Sequence, residues 1–172
     1  MNQPKNSKTF DYEEAQGRMT QAHQRATGDA LGDVNINLLL KHNTWLLSDC
    51  FNDALKAYSL NCISYFVLIS LYTSPDNQAN PCDICVCTGE TRANMTRICD
   101  ELVDQKLILR IPSATDRRRI DISLTPEGVD LLENIIPQLR THIETIFKVF
   151  DENEKATLER LLLKLMHSLT DS

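Results

Sequence analysis

No run in this 172-residue chain approaches the length of a membrane span, which takes about eighteen consecutive apolar residues. The polar opening, Met1 to Lys8, lacks the apolar stretch of a secretory leader. There is no glycine-rich phosphate loop and no nucleophile elbow, and the four histidines (His23, His42, His142, His167) are dispersed. No pair of acids occurs in a convincing catalytic setting, so an enzyme is the class the residues support least. Internal repeats and low-complexity tracts are missing too. These absences lead to the expectation of a soluble, cytoplasmic protein with no catalytic residues, no cofactor, no bound metal and no membrane contact.

The 42% hydrophobic composition suffices for a core, and the length favours one domain per protomer. Six cysteines (Cys50, Cys62, Cys82, Cys85, Cys87, Cys99) in such a chain fit reduced thiols better than a disulfide framework. Three of them crowd into Cys82-Asp83-Ile84-Cys85-Val86-Cys87, which raises two alternatives. A closed zinc site wants four ligands, yet Cys99 lies well beyond the trio and no histidine follows nearby. Thiol redox sensing is the other alternative, because a cysteine near a helix N-terminus or an arginine can have a lowered pKa; the plainer reading is a small apolar residue in packing.

A net charge of −6 argues against indiscriminate coating of nucleic acid, but the charge is uneven. Between Thr88 and Arg119 stand seven basic residues (Arg92, Arg97, Lys106, Arg110, Arg117, Arg118, Arg119) and five acidic ones (Glu90, Asp100, Glu101, Asp104, Asp116). That segment carries +2 and the remainder −8. An acidic body with one positive segment is oriented by a polyanion, since the rest of its surface is repelled.

Residues 1–33 read as a polar arm with one weak helix within Phe10 to Thr27. Ile36, Leu38, Leu39, Leu40, Trp45, Leu46, Leu47, Phe51 and Leu55 recur at helical spacing, which predicts a long helix from Val34 to Ala57, partly buried on more than one side. Asn61 can cap a second helix, Cys62 to Tyr72, whose run Ile63, Tyr65, Phe66, Val67, Leu68, Ile69, Leu71 reads as core. The loop Thr73 to Asn80 ends it. A short segment, Pro81 to Cys87, leads through the turn Thr88-Gly89-Glu90 to Thr91, which suits the N-cap of a helix reaching about Gln105. In that helix Met95, Ile98, Cys99, Leu102 and Val103 would point inward, leaving Arg92, Ala93, Thr96, Arg97, Asp100 and Asp104 outward.

Leu107 to Ile111 and Arg119 to Leu124 read as strands, joined by the cationic loop Pro112 to Arg118. Thr125-Pro126-Glu127 starts a long helix to about Phe150. Asp151 with Glu154 resembles a capping box, and Leu158, Leu161, Leu162, Leu165, Met166 and Leu169 mark a final amphipathic helix. The expected fold is mainly α with a small β-hairpin wing, a winged helix-turn-helix that dimerises through terminal helices. Residues 61–124 would form the winged helix and residues 34–60 and 125–172 the dimerisation helices of one domain, 34–172.

Thr91-Arg92-Ala93-Asn94-Met95-Thr96-Arg97-Ile98-Cys99-Asp100-Glu101-Leu102, followed by Asp116-Arg117-Arg118-Arg119 and Leu124-Thr125-Pro126-Glu127-Gly128, resembles the MarR family of bacterial regulators, nearest the branch that represses multidrug efflux operons. The resemblance covers about residues 34–170. It implies a homodimeric transcriptional repressor with two winged helices on a palindromic double-stranded DNA operator, released by a small aromatic or phenolic anion.

The side chains themselves suit such a role. Arg92 and Arg97 can be bidentate to guanine and Asn94 to adenine, and Thr96 can meet a thymine methyl. Together with Thr91 and Ala93 they occupy the first two turns, where a helix enters a major groove. Arg117, Arg118 and Arg119 on a hairpin tip can place a guanidinium in a narrow minor groove, with Asp116 orienting one of them. A solvated charge run is the alternative, and Arg119 can instead belong to the strand and touch phosphate or the protein body. For the effector, His42, Trp45, Tyr65, Phe66 and Tyr72 are the candidates, between the first long helix and the winged-helix body. An interaction adaptor that uses the same fold without DNA also remains open.

Overall fold

The computed structural model describes residues 11–28, 33–113 and 119–171. Asp116, Arg117 and Arg118 lie outside the described residues. The chain divides into two compact units, residues 1–50 and 51–172.

In the first unit α1 (Tyr12–Thr27) begins at Asp11, whose side chain accepts the Glu14 N–H. It ends at Gly28, in the left-handed region with φ 78°. This is the weak helix expected of the arm. Helix α2 (Asp33–Leu55) runs on into the second unit, and a 3-10 turn, Lys56–Tyr58, ends it. The burial of α2 is partial, as expected: Leu38, Leu40, Leu47 and Phe51 are half-buried. Ile36, Leu39, Trp45 and Leu46 are exposed, and only Leu55, at its end, is fully buried. The helix carries apolar residues around more of its circumference than a single chain covers.

The second unit is built on α3 (Cys62–Tyr72), whose N-terminus Asn61 caps by accepting the Ser64 N–H at 2.9 Å. Ser64, Val67, Leu68 and Leu71 form its buried face. Phe66, expected in the core, is instead exposed, because a helix turning about 100° per residue puts it opposite that face. Against α3 pack α4 (Pro81–Thr88), α5 (Arg92–Asp104) and α6 (Pro126–Ile146).

The sheet has one strand more than expected. Within the stretch read as a loop, Gln78–Ala79 forms β1, paired antiparallel with β3 (Ile120–Leu124) as Gln78↔Ser123 and Ala79↔Ile122. A two-residue strand has no hydrophobic period to read; pairing alone makes it. On its other side β3 pairs with β2 (Ile108–Pro112), from Ile108↔Leu124 to Pro112↔Ile120. Pro112 thus sits at the end of an outer strand, where a missing N–H costs least.

Leu68, Met95, Ile98, Leu102, Ile108, Ile122, Leu132 and Ile135 meet in one fully buried cluster. At its rim, the start of α6 is tied to the segment entering β2 through two carbonyls, that of Lys106 accepting the Thr125 hydroxyl proton at 2.8 Å. The Leu107 carbonyl accepts the Thr125 N–H at 3.0 Å and lies 3.0 Å from the Thr125 hydroxyl. That hydroxyl also caps α6 by accepting the Gly128 N–H at 3.0 Å. A Cβ on Gly128 would lie 2.4 Å from the Leu107 carbonyl oxygen, so glycine stands there because backbone approaches backbone. Helix α7 (Glu152–Thr170) opens with the expected capping box and buries nothing, exposing Leu161, Leu162, Leu163, Leu165, Met166 and Leu169.

Candidate nucleic-acid interface

Two helices and a turn present the outward face of α5. Asn80 caps α4 by accepting the Cys82 N–H at 3.0 Å, and Gly89, φ 71°, ends α4 in the left-handed region. The chain then reverses and Thr91 caps α5, its hydroxyl accepting the Asn94 N–H at 3.2 Å. Met95, Ile98, Cys99 and Leu102 are buried beneath α5. Thr91, Arg92, Ala93, Thr96, Arg97 and Asp100 are exposed, and Asn94 is half-buried. The division of faces read from the sequence therefore holds.

The outward groups are not idle. Asn94 Nδ2 donates to Glu90 Oε2 at 2.6 Å, and Asn94 Oδ1 accepts from Arg97 Nη2 at 2.8 Å. Arg97 Nη1 pairs with Glu101 Oε1. Thr96 donates its hydroxyl proton to the Arg92 carbonyl at 2.9 Å. Three of the expected base-reading side chains are thus engaged along their own helix, and a nucleic acid must displace Glu90 and Glu101 to use Asn94 and Arg97 fully. The exposed Arg97–Glu101 pair is worth only about 0.3–0.5 kcal/mol, so its displacement is cheap. Glu90's part was not legible in the sequence; its spacing of four from Asn94 was the available signal.

Beside α5, Arg110 on β2 pairs with Asp100 at 2.7 Å, holding the sheet against the helix. Ser113 donates its N–H to the Arg119 carbonyl at 3.0 Å, which extends the β2–β3 ladder one step beyond Pro112. Arg119 is exposed and stands immediately before β3. Among the described residues it represents the cationic hairpin, whose other arginines fall in residues 114–118.

Of the effector candidates, Trp45 and half-buried His42 are in the first unit; Trp45 is 53% exposed. In the second unit the rings of Tyr65 and Phe66 lie 6.0 Å apart, tilted by 58°. Burial pushes the Tyr65 phenol pKa up. Tyr72 donates its hydroxyl proton to Glu133 Oε1 at 3.3 Å.

At three of the cysteines the electrostatics run against a reactive thiolate. Burial pushes up the thiols of Cys62, Cys85 and Cys99; at Cys85 the charge of Cys82 adds to this and Arg92 opposes it. That is the reverse of the direction expected for a sensor thiol at these three positions. Among the described residues, no three His, Cys, Asp or Glu side chains are grouped to hold a metal ion. No single described helix is long and apolar enough to cross a membrane.

A capped helix-turn-helix followed by the β2–β3 hairpin, which β1 completes into a three-stranded sheet, with α3 and α6 sharing the core, defines the winged-helix class. A model described as MarR family matches residues 59–119. The transcriptional repressor MprA of Escherichia coli is 28% identical over 137 residues, which is 80% of this chain and 78% of that protein. The HTH-type transcriptional regulator PrsX of Escherichia coli is 30% identical over 125 residues, 73% of this chain and 75% of that protein. The Staphylococcus aureus MepR–DNA complex has the same fold, with a TM-score of 0.69 at 22% identity, covering 77% of this chain and 96% of that one. The chain belongs to the MarR family of DNA-binding transcriptional regulators.

Proposed function

We propose that the protein is a homodimeric repressor that binds a palindromic operator through α5 and the Arg-rich hairpin and is released by a small aromatic or phenolic ligand. The observation that carries this is the outward face of α5. Arg92, Asn94, Thr96 and Arg97 stand on its first two turns, and α5 packs on β2; Arg117 and Arg118, outside the described residues, join Arg119 as proposed contacts. A major groove admits the helix tip, and the hairpin arginines, with Asp116 as an orienting partner, take phosphate or the adjoining minor groove.

Two copies of the chain are required by the same logic, because two half-sites about one helical turn apart need a two-fold protein. The surface left bare in one chain supports that association. Leu161, Leu162, Leu165, Met166 and Leu169 of α7 are exposed, as are Ile36, Leu39 and Leu46 of α2. Near the helix ends, Ile143 and Phe147 with Leu158, Leu162 and Met166 line an open groove of about 670 Å³. An apolar surface of this extent on a monomer marks an interaction site.

Release follows by population shift: the effector binds better to a spacing of the two recognition helices that does not fit DNA. His42, Trp45, Tyr65, Phe66 and Tyr72 are the proposed contacts, offering aromatic faces with a few polar tips. Coupling is reciprocal, so an aromatic acid that binds free and DNA-bound dimers equally well is not the effector.

The test is a titration of the DNA flanking the protein's own gene against random competitor, over a range of salt. Arg117→Ala and Arg118→Ala are expected to weaken binding and to make the salt dependence shallower, by about one unit of slope for each phosphate left without its cation. No preference for any genomic fragment, or unchanged affinity in both folded variants, overturns the reading.

A further inference from the structure

One acidic side chain on β3 is absorbed neither by the core nor by the recognition face. Asp121 Oδ1 accepts from Asn80 Nδ2 at 2.7 Å, and the Ser113 hydroxyl also donates to its carboxylate. Arg119, two residues earlier in the chain, adds favourable charge. Asn80 is the N-cap of α4, and its Nδ2 also lies 3.3 Å from the Ile120 carbonyl. Ser113 is only 7% exposed and stands one residue past β2. One carboxylate therefore gathers the start of the helix-turn-helix and both strand ends of the hairpin.

The chemistry makes such a node costly to break. A buried hydroxyl that loses its acceptor suffers the full desolvation penalty, and charged acceptors make the stronger hydrogen bonds. What the node fixes is also what DNA binding depends on. Helix α4 packs on α5, and so does β2, so the start of the helix-turn-helix and the hairpin stem share one neighbour. The distance between two grooves of one duplex is set by the DNA, so the protein must hold its two reading elements at a matching distance.

We propose that Asp121 is a positioning residue for DNA recognition: it locks the stem of the hairpin, with Arg119, to the N-terminus of the helix-turn-helix through Asn80 and Ser113. It touches no base and no phosphate, and it acts through Arg119 and α4. The inference rests on the proposed operator binding and names the element that sets its geometry.

The sign of the effect separates positioning from charge. If Asp121 were only an anion near the interface, removing it would raise affinity for every DNA, since phosphate would be repelled less. If it positions, Asp121→Asn and Asp121→Ala lower operator affinity by about tenfold while affinity for random DNA does not fall. Asn80→Asp keeps the cap of α4 but sets carboxylate against carboxylate, and it is expected to copy that loss. Combining Asn80→Asp with Asp121→Asn restores a donor–acceptor pair with its polarity reversed and is expected to recover most of the operator affinity.

Binding of the full-length wild type, the four single variants (Arg119→Ala included), the Asp121→Ala/Arg119→Ala double and the exchange is measured by fluorescence anisotropy on operator and random duplexes, with thermal unfolding as the control for folding. Arg119→Ala is expected to cost less in the Asp121→Ala background than in the wild type. Operator affinity at or above wild type in both Asp121 variants overturns the inference, as do strictly additive effects with Arg119→Ala or an exchange that regains stability but no affinity. Should the wild type itself not distinguish operator from random DNA, the proposed function fails and takes the inference with it. A selective wild type with indifferent Asp121 variants sinks the inference alone.

Discussion

Replacing Gly128 by alanine should destabilise the winged-helix body by about 2–3 kcal/mol. Its backbone is ordinary helix, so no torsional penalty arises, and helix propensity by itself favours alanine by about 0.5–1 kcal/mol. Against this, the new methyl would stand 2.4 Å from the Leu107 carbonyl oxygen and 2.8 Å from Leu124 Cδ1. A carbon–oxygen contact is comfortable at about 3.3 Å or more, so roughly 0.9 Å of overlap has to be relieved. The Leu124 methyl can swing aside; the carbonyl cannot, because it accepts the Thr125 N–H and lies within reach of the Thr125 hydroxyl. Overpacking of this kind costs about 1–3 kcal/mol, and a weakened buried hydrogen bond adds about 1 kcal/mol. Urea unfolding at one fixed protein concentration reads the result, since association would otherwise shift the midpoint. The midpoint should fall with an unchanged slope, and the melting temperature by about 5–10 °C. A variant as stable as the wild type would show that α6 can retreat from β2, and the reasoning about this junction would be wrong.

Lys106 closes α5 in the left-handed region, with φ 60°, donating its N–H to the Val103 carbonyl while Leu107 donates to Leu102, both at 2.9 Å. Lys106→Gly should stabilise by about 0.5–1 kcal/mol in the same urea assay, and a loss would contradict that geometry. Glu101→Gln leaves Arg97 without its anionic partner and removes one charge near phosphate. Affinity for random DNA should rise about two- to threefold and selectivity should drop; an anisotropy titration that finds random binding unchanged counts against the competition on α5. Hydrogen bonds from Ser113 and Asn80, aided by Arg119, hold the Asp121 carboxyl below its ordinary value of 3.8. A depressed carboxylate contributes stability above its unfolded value and loses it as the pH falls through the folded one. The stability gap between wild type and Asp121→Asn should therefore narrow as the pH drops below 3.8, and a gap constant with pH would refute the assignment.

Much of the fold is legible along the chain because its signals are local. Asn61, Thr91, Thr125 and Asp151 announce helix starts by chemistry that acts within three residues, and the structure uses each of them as a cap. The period of Met95, Ile98, Cys99 and Leu102 gives the buried face of α5, and with it the outward face that carries Arg92, Thr96 and Arg97. Strand β1 was hidden, since two residues have no period and only the neighbouring β3 makes Gln78 and Ala79 a strand. Phe66 read as core from its company and turned out to face away.

Sequence alone therefore determined the order of elements and the face of α5 turned outward, because caps and hydrophobic periods are set by neighbours a few residues apart. The structure decided which of their neighbours Asn94 and Arg97 take, Glu90 and Glu101, a choice that spacing permits without fixing. It also decided that Gly128 is required by a carbonyl some twenty residues upstream, and that Asp121 joins Asn80 to Ser113 across forty residues of chain. The long-range ties have no signature in spacing, since they depend on which polar groups are brought within 3.0 Å of one another once the core has closed.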